Sequence, residues 1–124
     1  MEKVTTKMAI LNKTRKTTVA KEFRLCRSAA SKAKGLMFTN ENEVKKNALL
    51  FVFSSPRPQS LHMFFVLYPI DVIFLDEKKQ VVDLKEGFRP FHVYNSSKRS
   101  KYVIELPNSA IRMSRTKQGD ALEW

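Results

Sequence analysis

Cysteine, glycine and histidine are scarce in this chain, and each scarcity narrows what it can be. The single cysteine, Cys26, excludes an internal disulfide and a multi-cysteine metal site, and it suits a reducing cytoplasm. The histidines are His62 and His92 alone. With one carboxylate they could supply three metal ligands, but they lie far apart and lack the i, i+4 pairing of helical sites. No metal and no cofactor is expected. The glycines, Gly35, Gly87 and Gly119, form no flexible linker, and there is neither an internal repeat nor a low-complexity segment. One long apolar run, residues 63–75, is too short for a membrane span and contains Pro69 and Asp71. The opening Met1-Glu2-Lys3-Val4 shows no segment resembling a signal peptide. The chain is expected to be soluble and cytoplasmic, with no membrane partner.

A length of 124 residues, a hydrophobic fraction of 43% and nine phenylalanines fit one folded domain spanning residues 1–124. Acidic residues are outnumbered, 12 Asp and Glu against 23 Lys and Arg, for a formal net charge of +11. The excess is concentrated in residues 1–46. Such a balance strengthens attraction to nucleic acid or another polyanion. It is equally the mark of a well-solvated surface.

Strand signals dominate. Leu61 to Asp76 is nearly unbroken apolar sequence, rich in aromatic and β-branched residues, as in a strand buried on both faces. Pro69 divides it or marks a bulge. Met8–Leu11 and Thr17–Val19 flank a turn-like Asn12–Lys16, which predicts an opening hairpin. Ala48–Phe53 predicts a second buried strand, and the prolines of Ser54–Ser60 predict a loop after it. Asp76–Lys79 predicts a turn into Gln80–Lys85. Residues 86–101 read as a long aromatic and basic loop, Tyr102–Leu106 as a strand, and Ala121–Trp124 as a last one. Short helices are predicted near 29–38, capped by Ser28, and near 108–116, capped by Asn108. The expected fold is therefore mainly β, sandwich- or barrel-like and largely antiparallel, with two short helices, since closing the sheet protects its edges. The expected core holds Leu36, Met37, Leu50, Val52, Phe65, Ile70, Val72, Phe74, Val103, Ile104 and Leu106.

Three blocks together carry a family resemblance: Gly35-Leu36-Met37-Phe38; Met63 through Asp76, centred on Pro69-Ile70-Asp71; and Tyr102-Val103-Ile104-Glu105-Leu106 followed by Gly119-Asp120. In order and spacing they resemble the uncharacterised family called domain of unknown function 192, found in archaea and bacteria. The chain looks like an archaeal-type member. Thr39, His62 and Phe64-Phe65 stand where the commoner bacterial pattern has Arg, Trp and Lys-Asn. The resemblance implies a compact sandwich or barrel-like β fold with small helices, and it implies no activity.

Candidate sites each have a plain structural alternative. Asp71 beside His62 could form a carboxylate-oriented general base, with Glu105 as a further acid, although no nucleophile or oxyanion motif accompanies them. Alternatively Asp71 accepts backbone N–H groups near the bend at Pro69. Cys26 lies between Arg24 and Arg27, which would favour a reactive thiolate; a buried, inert thiol is the alternative. Residues 88–101 interleave Phe88, Arg89, Phe91, His92 and Tyr94 with Lys98, Arg99 and Lys101, as surfaces that stack bases and pair phosphates do. Alternatively Phe88, Phe91 and Tyr94 fold onto the core. The expected ligand-binding set is His62, Asp71, Arg89, Phe91, His92, Tyr94, Lys98, Arg99 and Lys101, with no catalytic residue assigned. The chain is expected to be a small basic β-rich binding domain without an established activity. Its partner would be a small ligand, a protein, or nucleic acid bound weakly and without sequence preference. Enzymatic use of Asp71 and His62 is the remaining alternative.

Overall fold

A computed structural model describes residues 6–26, 48–62, 68–89 and 92–124. The predicted helix near 29–38 and the expected core residues Leu36, Met37 and Phe65 lie outside these segments. Among the described residues the chain forms strands β1 (Thr6–Asn12), β2 (Thr17–Cys26), β3 (Ala48–His62), β4 (Ile70–Leu75), β5 (Val81–Phe88) and β6 (Val93–Pro107). Helix α1 (Ala110–Ser114) and strand β7 (Leu122–Glu123) complete it.

The strands make one seven-stranded sheet in the order β5-β4-β6-β3-β2-β1-β7, curled into a half-barrel. All pairs are antiparallel except β2 with β3. At one end the outermost strands approach each other. Gln80 bridges Ala121, the Val81 N–H donates to the Asp120 carbonyl at 2.8 Å, and the Gly119 N–H donates to the Val81 carbonyl at 2.8 Å. Satisfying backbone groups across this seam removes part of the exposed edge.

The apolar run does what its composition requires. Every residue of β4 is buried, because the sheet is covered on both faces. Alternation along β3, β4 and β6 sends Phe51, Val72, Phe74 and Val103 into one cluster. Leu50, Ile73, Leu75, Ile104 and Leu106 enter the other, together with Ile111 of α1. Leu50, Ile70, Val72, Phe74, Val103, Ile104 and Leu106 are buried as expected, while Val52 is half-buried at the margin of the second cluster.

Several local expectations are corrected. Ser54–Ser60 is not a loop: β3 runs through it, with register shifts between Val52 and Arg57 and between Pro58 and Ser60. Among the described residues, only Ala48–Phe51 of β3 pairs with β2. A proline is tolerated within a strand wherever no ladder bond is required of its nitrogen. Residues 86–101 are not one long loop either. They are the end of β5 and the first half of β6, with Arg89–His92 between them. The second helix exists but is shorter than expected, and its N-cap is Ser109 rather than Asn108. No helix among the described residues is long and apolar enough to cross a membrane.

Candidate functional site

Asp71 is wholly buried. Its Oδ1 accepts the Gly87 N–H at 2.9 Å, and its Oδ2 accepts the Ile111 N–H at 2.9 Å. Gly87 has φ +57°, a left-handed conformation that a side chain would strain. Ile111 is in the first turn of α1, whose N-cap residue, Ser109, supplies no side-chain bond. The carboxylate of a central strand therefore does the capping that the local sequence does not. With both oxygens engaged and no solvent exposure, Asp71 is held as a structural acceptor.

The far end of α1 closes in the left-handed manner, with Arg115 at φ +57° and the Thr116 N–H donating to the Ile111 carbonyl at 3.1 Å. Beyond it lies a buried polar network. Asn12 Nδ2 donates to Asp120 Oδ2 at 3.0 Å and to Thr116 Oγ1 at 3.1 Å. Arg15 Nε donates to Asp120 Oδ2 at 3.0 Å, and the Lys117 N–H donates to the same oxygen at 2.9 Å. Burial alone would raise the Asp120 pKa; the bonds from Arg15, Asn12 and Lys117 and the Arg15 charge outweigh it and hold the carboxyl below its ordinary value. The Gly119-Asp120 step is thus a clamp joining the β1–β2 turn to the segment after α1.

This clamp builds a cleft of about 690 Å³. Its floor includes buried Ile111 and Thr116 and half-buried Leu84. Arg15, Arg112, Arg115 and Lys117 line it, with Glu86 the one carboxylate among the described lining residues. Among the described residues Arg112, Arg115, Lys117 and Glu86 make no ion pair, the one close pair being Arg15 with Asp120. Lys13 and Lys16 stand exposed on the adjoining turn. Sequence reasoning missed this cleft. Its only linear signals are Lys13-Thr14-Arg15-Lys16 and Arg112-Met113-Ser114-Arg115-Thr116-Lys117, each of which reads alone as a solvated run.

Of the residues singled out from sequence, those that are described have different surroundings. His62 ends β3; its side chain, and Phe91 entirely, lie outside what is described. Arg89, His92, Lys98 and Arg99 are exposed. Lys101 Nζ donates to the Phe53 and Ser54 carbonyls at 3.0 and 3.4 Å. Tyr94 packs inward, with its ring centroid 5.7 Å from Phe74 and 6.4 Å from Phe88. Its hydroxyl donates to Asp83 Oδ2 at 2.6 Å. That hydrogen bond, burial and the Asp83 charge together push the phenol up to about 12. Cys26 is buried in the first cluster. Glu105 carries a buried Oε1 with no hydrogen-bond partner among the described residues, and burial pushes its carboxyl up to about 7.

The family model DUF192, described as "Uncharacterized ACR", matches residues 10–124. The chain belongs to this family. A UPF0127 protein of Thermococcus sibiricus is 36% identical over 118 residues, covering 93% of this chain and 73% of its own. One of Pyrococcus horikoshii is 34% identical over 119 residues, covering 93% and 97%. Among solved structures, a protein of Sinorhizobium meliloti provisionally named a transcription regulator superposes with a TM-score of 0.85 at 20% identity, over 99% of this chain and 96% of that one. A protein of unknown function from Novosphingobium aromaticivorans gives 0.78, also at 20% identity, over 98% and 85%. At that identity the likeness concerns the fold. The family has no established activity.

Proposed function

We propose that this protein is a binding domain for an anionic ligand, taken up in the cleft beside α1. One observation carries the reading: Arg15, Arg112, Arg115 and Lys117 line a single concavity, and of these only Arg15 is neutralised by a described carboxylate. Guanidinium groups pair with phosphate and carboxylate oxygens in bidentate fashion. Concentrating them on a concave surface with an apolar floor favours a held ligand over a diffuse ion atmosphere. The buried thiol of Cys26 accords with a cytoplasmic location. Titration with inorganic phosphate, followed through backbone amide shifts, tests the reading. Shifts should centre on Ile111 to Gln118 and vanish when Arg112 and Lys117 are both changed to Gln. Shifts scattered over all the basic residues would sink it.

A second reading, weak nucleic-acid binding without sequence preference along β6, rests on exposed Lys98 and Arg99. The inward packing of Tyr94 takes away a stacking partner from that surface, so phosphate contact would have to carry it.

A further inference from the structure

The geometry points to a phosphomonoester of mononucleotide size as the ligand class of the α1 cleft, an inference that rests on the anion-binding reading above. Size argues first. A cleft of about 690 Å³, open to solvent along much of its surface, has more room than an inorganic anion needs.

The lining divides by chemistry. The Arg112, Arg115 and Lys117 side chains supply positive charge without a described carboxylate partner. Arg15 is fixed through its Nε to Asp120, which leaves its terminal nitrogens with no partner among the described residues. A guanidinium pinned in this way has little rotamer freedom left to lose on binding, so its contribution to a phosphate is preorganised. Buried Ile111 and half-buried Leu84 offer an apolar floor, against which a bare ion gains nothing and a ring or alkyl body gains contact.

Glu86 separates phosphomonoesters with donors from simple anions. It lines the same cleft as four cations yet pairs with none of them within 4.0 Å. A carboxylate there repels an anion but accepts from a hydroxyl or amino group. A ligand bearing phosphate at one end and a donor at the other satisfies both sides of the cleft at once. Among the described residues no aromatic side chain lines the cleft, so the described lining offers no platform on which successive bases of a strand would stack. That favours a single small molecule over a polymer.

Adenosine monophosphate, adenosine, inorganic phosphate and a mixed single-stranded oligonucleotide serve as probes, read by calorimetry and amide shifts on the full chain. The monophosphate should bind at least about tenfold tighter than either phosphate or adenosine, with shifts at Leu84 and Ile111. Glu86→Gln should weaken the monophosphate about three- to tenfold while leaving phosphate unchanged or slightly tighter, because a charged acceptor for the ligand's donor becomes a weaker, neutral one. Arg112→Gln with Lys117→Gln should weaken both. An unchanged amide spectrum outside the cleft shows that these exposed changes leave the fold intact. Equal affinity for phosphate and the monophosphate, or no effect of Glu86→Gln on the monophosphate, overturns the ligand class and leaves the anion reading standing. Tighter binding of the oligonucleotide than of the monophosphate at the cleft overturns it in favour of a polymer. No binding of any phosphate, or binding indifferent to Arg112 and Lys117, overturns both readings.

Discussion

Asp71 and Ile111 are 40 residues apart, and the carboxylate of one caps the helix of the other through a buried 2.9 Å bond. The same side chain holds the Gly87 N–H of β5. A strand, its neighbour and the cleft-forming helix are thereby fixed by one residue. Asp71→Asn retains the size but presents an NH2 group to one of those two donors. Leaving a buried N–H unpaired should lower unfolding stability by about 1–3 kcal/mol, and Asp71→Ala should lower it further. Urea unfolding measures the loss, and faster hydrogen exchange at Ile111 locates it. A loss below about 0.5 kcal/mol would show that the cap is dispensable.

Glu105 makes stability depend on pH in the neutral range. Its carboxyl is raised from 4.5 to about 7 by burial, so folding favours the protonated form. That contribution is fully present below pH 4.5 and is lost as pH rises through about 7. Glu105→Gln keeps the shape without the charge. The variant should therefore be more stable than the parent at pH 8, by up to about 3 kcal/mol, and nearly equal to it at pH 5. Parallel pH profiles for the two proteins would refute this.

Asp120 acts with the opposite sign. Its folded pKa lies below the ordinary 3.8, so its contribution is present above that value and disappears as pH falls through the lowered one. Asp120→Asn should lower stability at pH 6, where Asn12, Arg15 and Lys117 lose a charged acceptor. Its acid limb should be shallower than the parent's between pH 4 and 2. Equal slopes would mean that the clamp is not charge-assisted.

Phe74 is fully buried and touches the Tyr94 ring at a centroid distance of 5.7 Å. Phe74→Ala should cost about 3–5 kcal/mol through lost transfer energy and the cavity left behind. A denaturant midpoint that hardly moves would mean that the neighbouring strands collapse into the space.

The two basic regions can be separated by one comparison. Changing Lys98, Arg99 and Lys101 to Gln removes the same formal charge as changing Arg112, Arg115 and Lys117 to Gln. If phosphate groups are held at α1, the second triple change should weaken single-strand binding more and flatten its salt dependence more. Equal effects would leave only general electrostatic attraction.

Much of the fold was legible in the chain because strand patterning is local. The runs through Phe51, Phe74 and Val103 announce burial by composition. The Asp76–Lys79 turn and the opening hairpin follow from neighbours in sequence. The prolines at 56 and 58 misled for a physical reason. They forbid pairing only where an N–H is required, and whether one is required depends on which strand lies alongside. Tyr94, Phe88 and the basic residues near them looked like a binding surface because composition cannot say which way a side chain turns; packing against Phe74 and the bond to Asp83 turned Tyr94 inward. The cleft was beyond the sequence altogether. It joins Arg15 to residues near 115 through a buried Asn12–Asp120 contact spanning 108 positions. Local propensity thus determined that strands would form and which residues they would bury. Only the closing of the sheet, by pairings between distant segments, decided where the charges of this protein meet.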